Sequence, residues 1–321
     1  MTETTGKGSR SHLERLLRGG EFVVTCELRT IDSADPDSVR KACEPLQGYV
    51  DAINCTDNAT AHPHLCQLAA SRLLIDNGLE PITQFSCRDR NRLGLQADIL
   101  GAASLGVRNL VLMQGDDVSV GDHPDAMPLW DLDSMHLLRV AAMLRDQGVY
   151  LSGRKLTHPP EYFIGAVANP FAPPHDFRPL RLGKKVEAGA EFIQTQIVYN
   201  LPRLREFMKR VEDLGLLEKV FILPSVAICR SARAVHYIRD HVPGIDVPIE
   251  IIKRMEQHVR KEDQVEEGIR IATETVQALR EIRGVAGIHL IAIKWEEVIG
   301  RVVEASGLLP RPTPAVKTVS G

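Results

Sequence analysis

Glu27 closes the apolar run Val23 to Cys26. A carboxyl at the end of a buried strand loses hydration, which raises its pKa and equips it as a general acid near neutrality. Its neighbour Arg29 offers a competing arrangement, a rim ion pair. Asp116 follows Gly115 directly after Leu110 to Gln114. The glycine lets a ligand approach the backbone, and the carboxylate either faces that ligand or closes an Asx turn. Gln196, in Thr195-Gln196-Ile197, can donate and accept toward a heterocycle with amide-like edges, or can bond a neighbouring strand. Arg178, Arg181, Lys184 and Lys185 make a basic group suited to a phosphate, with a solvated helix face as the other reading. His62, His64 and Cys66 stand in H-P-H-L-C, whose alternating spacing at a helix entry, with no further ligand, does not make a metal centre.

Such residues need a frame, and the sequence supplies a repeated one. Short β-rich runs alternate with helical patterns: Phe22 to Glu27, Tyr49 to Asn54, Pro81 to Ser86, Asn109 to Gln114, Phe163 to Asn169, Phe192 to Val198, Val220 to Val226 and His289 to Ile293. These eight runs are nearly continuous in apolar residues, as expected of parallel strands covered by helices. Between them Gly78, Gly106, Gly148, Gly189 and Gly215 each end a helical pattern. The segment after Asn200 is the clearest, with Pro202 in the first turn and Leu204, Phe207, Met208, Val211 and Leu214 on one face. The count predicts an α/β fold, a single-domain (β/α)8 TIM barrel over residues 21–308, with poorly ordered ends at 1–20 and 309–321. A dinucleotide-binding doubly wound sheet is the rival, but no G-x-G-x-x-G follows a strand. In a (β/α)8 barrel the site forms at the C-terminal strand ends, which adds Asn54, Asp57, Asn58, Gln84, Ser86, Asn169, Ser225 and Lys294 to the candidates. The long connections Asp116 to Trp130 and Pro170 to Asp176 border the same mouth.

Composition narrows the partners. With 44% hydrophobic and 25% charged residues the 321-residue chain has the make-up of a soluble globular protein. Its 39 Lys+Arg against 42 Asp+Glu give a net charge of -3, no field for nucleic acid or an anionic membrane, so a small molecule is the expected partner. Six cysteines without a C-x-x-C pair, no secretory signal and no run of 18 apolar residues point to the cytoplasm.

In this order the strand ends resemble the methylenetetrahydrofolate reductase family, in its short catalytic-barrel form. The likeness spans Phe22 to Leu309 and is carried by Val24-Thr25-Cys26-Glu27-Leu28-Arg29, by Leu112-Met113-Gln114-Gly115-Asp116, and by Lys185-Val186-Glu187-Ala188-Gly189-Ala190 with Thr195-Gln196. Gly165 to Phe171 and Val247 to Met255 are most similar to acetogen-type variants. The resemblance implies that NAD(P)H reduces a flavin (FAD, with FMN or no flavin as the other cases), which then reduces methylenetetrahydrofolate. It makes Glu27 and Asp116 catalytic. It places Asn54, Cys55, Asp57, Gln84, Gln114, Gly115, Asp116, Asn169, Arg181, Lys184 and Lys185 at the cofactor and Gln196, Arg233 and Lys294 at the substrate, with no metal. Three positions depart from the family pattern: Gln114 for its Arg, Gln84 for its third-strand His and Asn54-Cys55 for its Thr-Tyr pair. A flavin-free NADH-dependent reductase, a folate-binding methyltransferase, and a barrel subunit docked to an electron-transfer partner are the alternatives; a homo-oligomer fits each of them.

Overall fold

The computed structural model describes residues 10–313. Eight parallel strands close into one barrel in chain order: β1 (Val23–Glu27), β2 (Ala52–Cys55), β3 (Pro81–Ser86), β4 (Asn109–Met113), β5 (Phe163–Ala168), β6 (Phe192–Ile197), β7 (Phe221–Ala227) and β8 (Gly287–Ile291). The (β/α)8 fold expected from the strand count is therefore the observed one, with strand ends within about three residues of the sequence assignment. Outside the barrel lie α1 (His12–Arg18), α2 (Asp37–Cys43), α3 (Gln67–Asp76), α4 (Arg92–Ser104), α5 (Ser134–Ala142) and α6 (Phe177–Glu187). They are followed by α7 (Leu201–Asp213), α8 (Ala232–His241), α9 (Ile249–Glu256), α10 (Lys261–Arg280) and α11 (Glu297–Ala305).

Period-two alternation sorts each strand. On β1, Val24 and Cys26 join the helix-covered core while Val23 lies in the barrel interior. Thr25 and Glu27 share Val23's face. α7 forms as its sequence dictates: Asn200 Oδ1 accepts the Arg203 N–H at 2.9 Å, and Leu204, Phe207, Met208 and Val211 are buried. Leu214 is the exception. It stays 43% exposed at the C-cap, one residue past the end of the helix at Asp213.

The segment expected to be poorly ordered up to Gly20 contains α1, whose Leu13, Leu16 and Leu17 are buried. They close the N-terminal end of the barrel against Val23, Ala52, Ile82, Val111, Phe163, Phe192 and Leu223. Ser11 caps the helix by accepting the Glu14 N–H at 2.9 Å, and Glu80 accepts the His12 and Leu13 N–H groups at 2.7 and 2.8 Å. At the other terminus Arg311 pairs with buried Asp51 at 2.5 Å and donates to the Phe22 carbonyl at 2.9 Å, so the chain is anchored past residue 309. The remaining residues of both predicted tails, 1–9 and 314–321, lie outside the described residues.

Above the apolar end the interior turns polar. Thr25, Asn54, Gln194 and His289, all buried, meet across the barrel axis where such barrels ordinarily carry branched aliphatic side chains.

Candidate active site

Glu27 stands at the C-terminal end of β1, one alternation above Thr25. No group among the described residues hydrogen-bonds or pairs with its carboxyl, and burial alone pushes its pKa up to about 7. Arg29 does not compete for it: its guanidinium pairs instead with Glu296 at 3.4 Å.

Beneath Glu27 the polar layer is closely bonded. Asn54 Nδ2 donates to Gln194 Oε1 at 2.7 Å and Gln194 Nε2 returns a bond to Asn54 Oδ1 at 3.0 Å. His289 Nδ1 lies 3.0 Å from Thr25 Oγ1 and 3.2 Å from Gln194 Nε2, and burial drives this imidazole down to about 3, so it is neutral. Sequence reading missed Gln194 and His289. Both were legible as polar residues on the inward face of apolar strands, Gln194 two positions before Gln196.

The ends of β3 and β4 form a second group. Gln84 and Ser86 share the inward face with Ile82; the Gln84 amide makes no hydrogen bond among the described residues, and Ser86 Oγ is buried without a partner. Gly115 has φ +91°, and a Cβ there would stand 3.0 Å from Ser86 Cβ, so only glycine brings the backbone this close. Asp116 is exposed next to it. Behind them lies the missed Arg88, 2% exposed. It donates to Asp89 at 2.6 and 2.8 Å, to the Asn58 carbonyl at 3.0 Å and to the Asp116 carbonyl at 3.2 Å, tying together the loops after β2, β3 and β4.

Other expected residues are engaged elsewhere. The Cys55 thiol is in the helix-covered core and is pushed up to about 12 by burial, so it faces away from the mouth. Asp57 is buried, pairs with Arg90 and accepts the Ser86 N–H at 2.7 Å, which makes it a loop anchor. Gln114 Oε1 accepts the Ser134 N–H at 3.1 Å at the start of α5, and Asn169 Oδ1 closes an Asx turn onto Phe171 and Ala172 at 2.9 and 3.2 Å. A register shift in β6 re-aims Gln196, whose amide accepts the Ile197 N–H at 3.0 Å and donates to the Pro243 carbonyl at 3.4 Å.

The basic group on α6 splits. Lys185 is buried with Nζ 2.5 Å from the Val167 carbonyl, and burial, then the charge of Arg181, lowers it to about 8. Lys184 and Arg181 are exposed, and Arg178 donates to the Ala172 and Pro173 carbonyls at 2.7 and 2.5 Å. Lys294 and Arg233 are exposed. Lys294, at φ +52°, lines a cleft of about 330 Å³ with Arg29, Asp32, Ser38 and Lys41 beside the β1 end. His64 Nδ1 lies 2.5 Å from Asp32 and holds that carboxyl below the usual range, while His62 Nδ1 sits 2.8 Å from the Thr60 carbonyl. Among the described residues no group of three His, Cys, Asp or Glu side chains is arranged to hold a metal.

Residues 39–307 match the model of the family described as Methylenetetrahydrofolate reductase. The chain belongs to this family. A Caenorhabditis elegans protein named "Probable methylenetetrahydrofolate reductase (NADPH)" is 21% identical over 244 residues, 74% of this chain and 34% of the relative, so the chain spans about a third of that protein's length. Among solved structures, an uncharacterized Clostridium thermocellum protein that binds two copies of 5-methyl-5,6,7,8-tetrahydrofolic acid has a TM-score of 0.66 at 14% identity, covering 93% of this chain and all (100%) of that one. DmoA from Hyphomicrobium sulfonivorans has a TM-score of 0.57 at 9% identity, with 89% and 87% of the chains covered. At these identities the structures share the fold. As a methylenetetrahydrofolate reductase family member the chain was expected to hold a flavin, and the β3 and β4 ends fit the edge of such a ring. There Gln84 and Ser86, whose amide and Oγ have no hydrogen-bond partner among the described residues, the Cβ-free Gly115 and the exposed Asp116 stand at the ends of two neighbouring strands.

Proposed function

We propose that the chain reduces 5,10-methylenetetrahydrofolate to 5-methyltetrahydrofolate in one-carbon metabolism, with Glu27 as the acid. The observation that carries this reading is the Glu27 carboxyl at the end of β1, without a partner among the described residues and with its pKa pushed up to about 7 by burial, in a chain of this family. Opening the five-membered ring breaks the bond between the methylene carbon and N10. N10 takes the proton of Glu27, and the exposed iminium carbon takes a hydride that originates on NAD(P)H. Low hydration around Glu27 keeps that proton on the carboxyl until N10 needs it.

Gln84, Ser86, Gly115 and Asp116 would hold the flavin ring. A bound flavin supplies two-electron relay between nicotinamide and folate. Asp116 orients the pterin through its amino edge, and Gln196 would join it on exchanging its long bond to the Pro243 carbonyl for the pterin amide. Lys294, with Lys41 in the adjoining cleft, offers cations to the carboxylates of the substrate's glutamate tail, and Arg233 on α8 is a further candidate. The unpaired cysteines fit a reducing cytoplasm, and no helix among the described residues is long and apolar enough to cross a membrane.

The test is to purify the protein anaerobically, record its visible absorption, and add NADH or NADPH, then methylenetetrahydrofolate. Flavin bands that bleach with the nucleotide and return with the folate are the expected result. Folate-dependent nucleotide oxidation without flavin bands places the hydride transfer directly between the two substrates. A folate that provokes no oxidation, with either nucleotide, overturns the reductase reading.

A further inference from the structure

The polar layer under the mouth has a consequence for the acid itself. Glu27 and Asn54 are register partners on adjacent parallel strands, a spacing of about 4.8 Å between backbones, and both stand on the inward face. An asparagine beside a carboxylate ordinarily turns its NH2 group toward it. Asn54 does not. One N–H of its Nδ2 goes to Gln194 Oε1 at 2.7 Å and its Oδ1 accepts from Gln194 Nε2 at 3.0 Å, a buried reciprocal amide pair that fixes the amide plane, and the second N–H makes no hydrogen bond to Glu27. Gln194 is held in turn from across the barrel by His289 and Thr25 at 3.2 and 3.5 Å.

We propose that Gln194 is a positioning residue for Glu27: by bonding Oδ1 and one N–H of Asn54 it fixes the amide plane and keeps the second N–H from turning onto the Glu27 carboxylate beside it. The inference rests on the reading of Glu27 as the acid. Hydrogen bonds to a carboxylate favour its charged form, so a freed Asn54 would make Glu27 a weaker proton donor. Other groups around Glu27 leave this bond decisive. On its own strand, Arg29 is taken by Glu296 from the start of α11. From the loop after β2, Asp57 is paired with Arg90. From β8, His289 is neutral and Lys294 lies exposed beyond the strand end, and from the loop after β4 Asp116 is exposed.

Difference infrared spectra recorded over a pH series read the Glu27 carboxyl directly, its band assigned by its loss in Glu27→Gln. Gln194→Met keeps the side-chain volume and releases Asn54; the Glu27 midpoint is expected to fall by about one pH unit, a tenfold change in its proton affinity. Asn54→Leu/Gln194→Met removes the donor as well and should return the midpoint to the parent value. Asn54→Leu alone should leave it in place, and this variant carries the test should Gln194→Met not fold. A midpoint unmoved in Gln194→Met, or one that rises in Asn54→Leu because Asn54 was already donating, overturns the proposal. The readout does not use turnover. If the midpoint moves as expected while the pH dependence of folate reduction does not follow it, the clasp stands and the assignment of Glu27 as the acid falls.

Discussion

At the N-terminal end of the barrel Val23, Ala52, Ile82, Val111, Phe163, Phe192 and Leu223 meet three leucines of α1 in an apolar layer. At the C-terminal end, among the described residues, Glu27 has no partner, Gln84 makes no hydrogen bond and the buried Ser86 Oγ is unbonded. One end gathers groups that gain from losing water; the other keeps groups that lose by it, and between them lies a polar layer whose members satisfy one another. Stability is concentrated below and unspent hydrogen-bonding capacity above, the division expected of a barrel whose chemistry occurs at the strand C-termini.

The contrast can be broken from either end. The largest effect is expected at the mouth, where Glu27→Gln cannot give a proton and should lower folate reduction by about 100- to 10,000-fold. Reduction of a quinone acceptor by the nucleotide, which needs no proton on N10, should survive. The same variant should be more stable than the parent at alkaline pH. Between the ordinary 4.5 and about 7 the native state holds a proton that the unfolded chain releases, so Glu27 costs stability progressively as pH rises through that window. Thermal unfolding at about pH 5 and pH 8 reads the widening difference. A difference between variant and parent that is the same at both pH values would mean that Glu27 is hydrated.

At the other end, Leu16→Ala should cost about 2–5 kcal/mol in denaturant unfolding by opening a cavity under the barrel, with kcat of the folded fraction unchanged. A loss of kcat there would erase the division between the two ends. A smaller effect is expected at the rim, where Lys294→Ala removes an exposed cation and should raise KM for the folate severalfold, about 1 kcal/mol, without changing kcat.

The two ends were also unequally legible in the sequence. Strand and helix periodicity gave the closed barrel, and strand-end position gave Glu27, Gln84, Ser86 and Asp116, because both signals are local. α1 was not legible: seven residues with leucines at i, i+3 and i+4 make too short a pattern to stand out from a polar terminus, and its order comes from the barrel floor it covers. Asp57, Gln114 and Lys185 were expected at the ligand and serve the scaffold. Their direction is set by partners distant in sequence, Arg90, Ser134 and Val167, and no local rule reads such pairings. Arg88 was passed over because a lone arginine after a strand reads as surface, and only the meeting of three loops buries it.

The most direct measurement is the pH dependence of single-turnover folate reduction, with the nucleotide or reduced cofactor preloaded. A rate that is constant in mild acid and falls tenfold per pH unit above an inflection near 7, with the inflection abolished in Glu27→Gln, is the predicted result. A rate that stays level through pH 7 and beyond, or an inflection that persists in the variant, would contradict Glu27 as the proton donor.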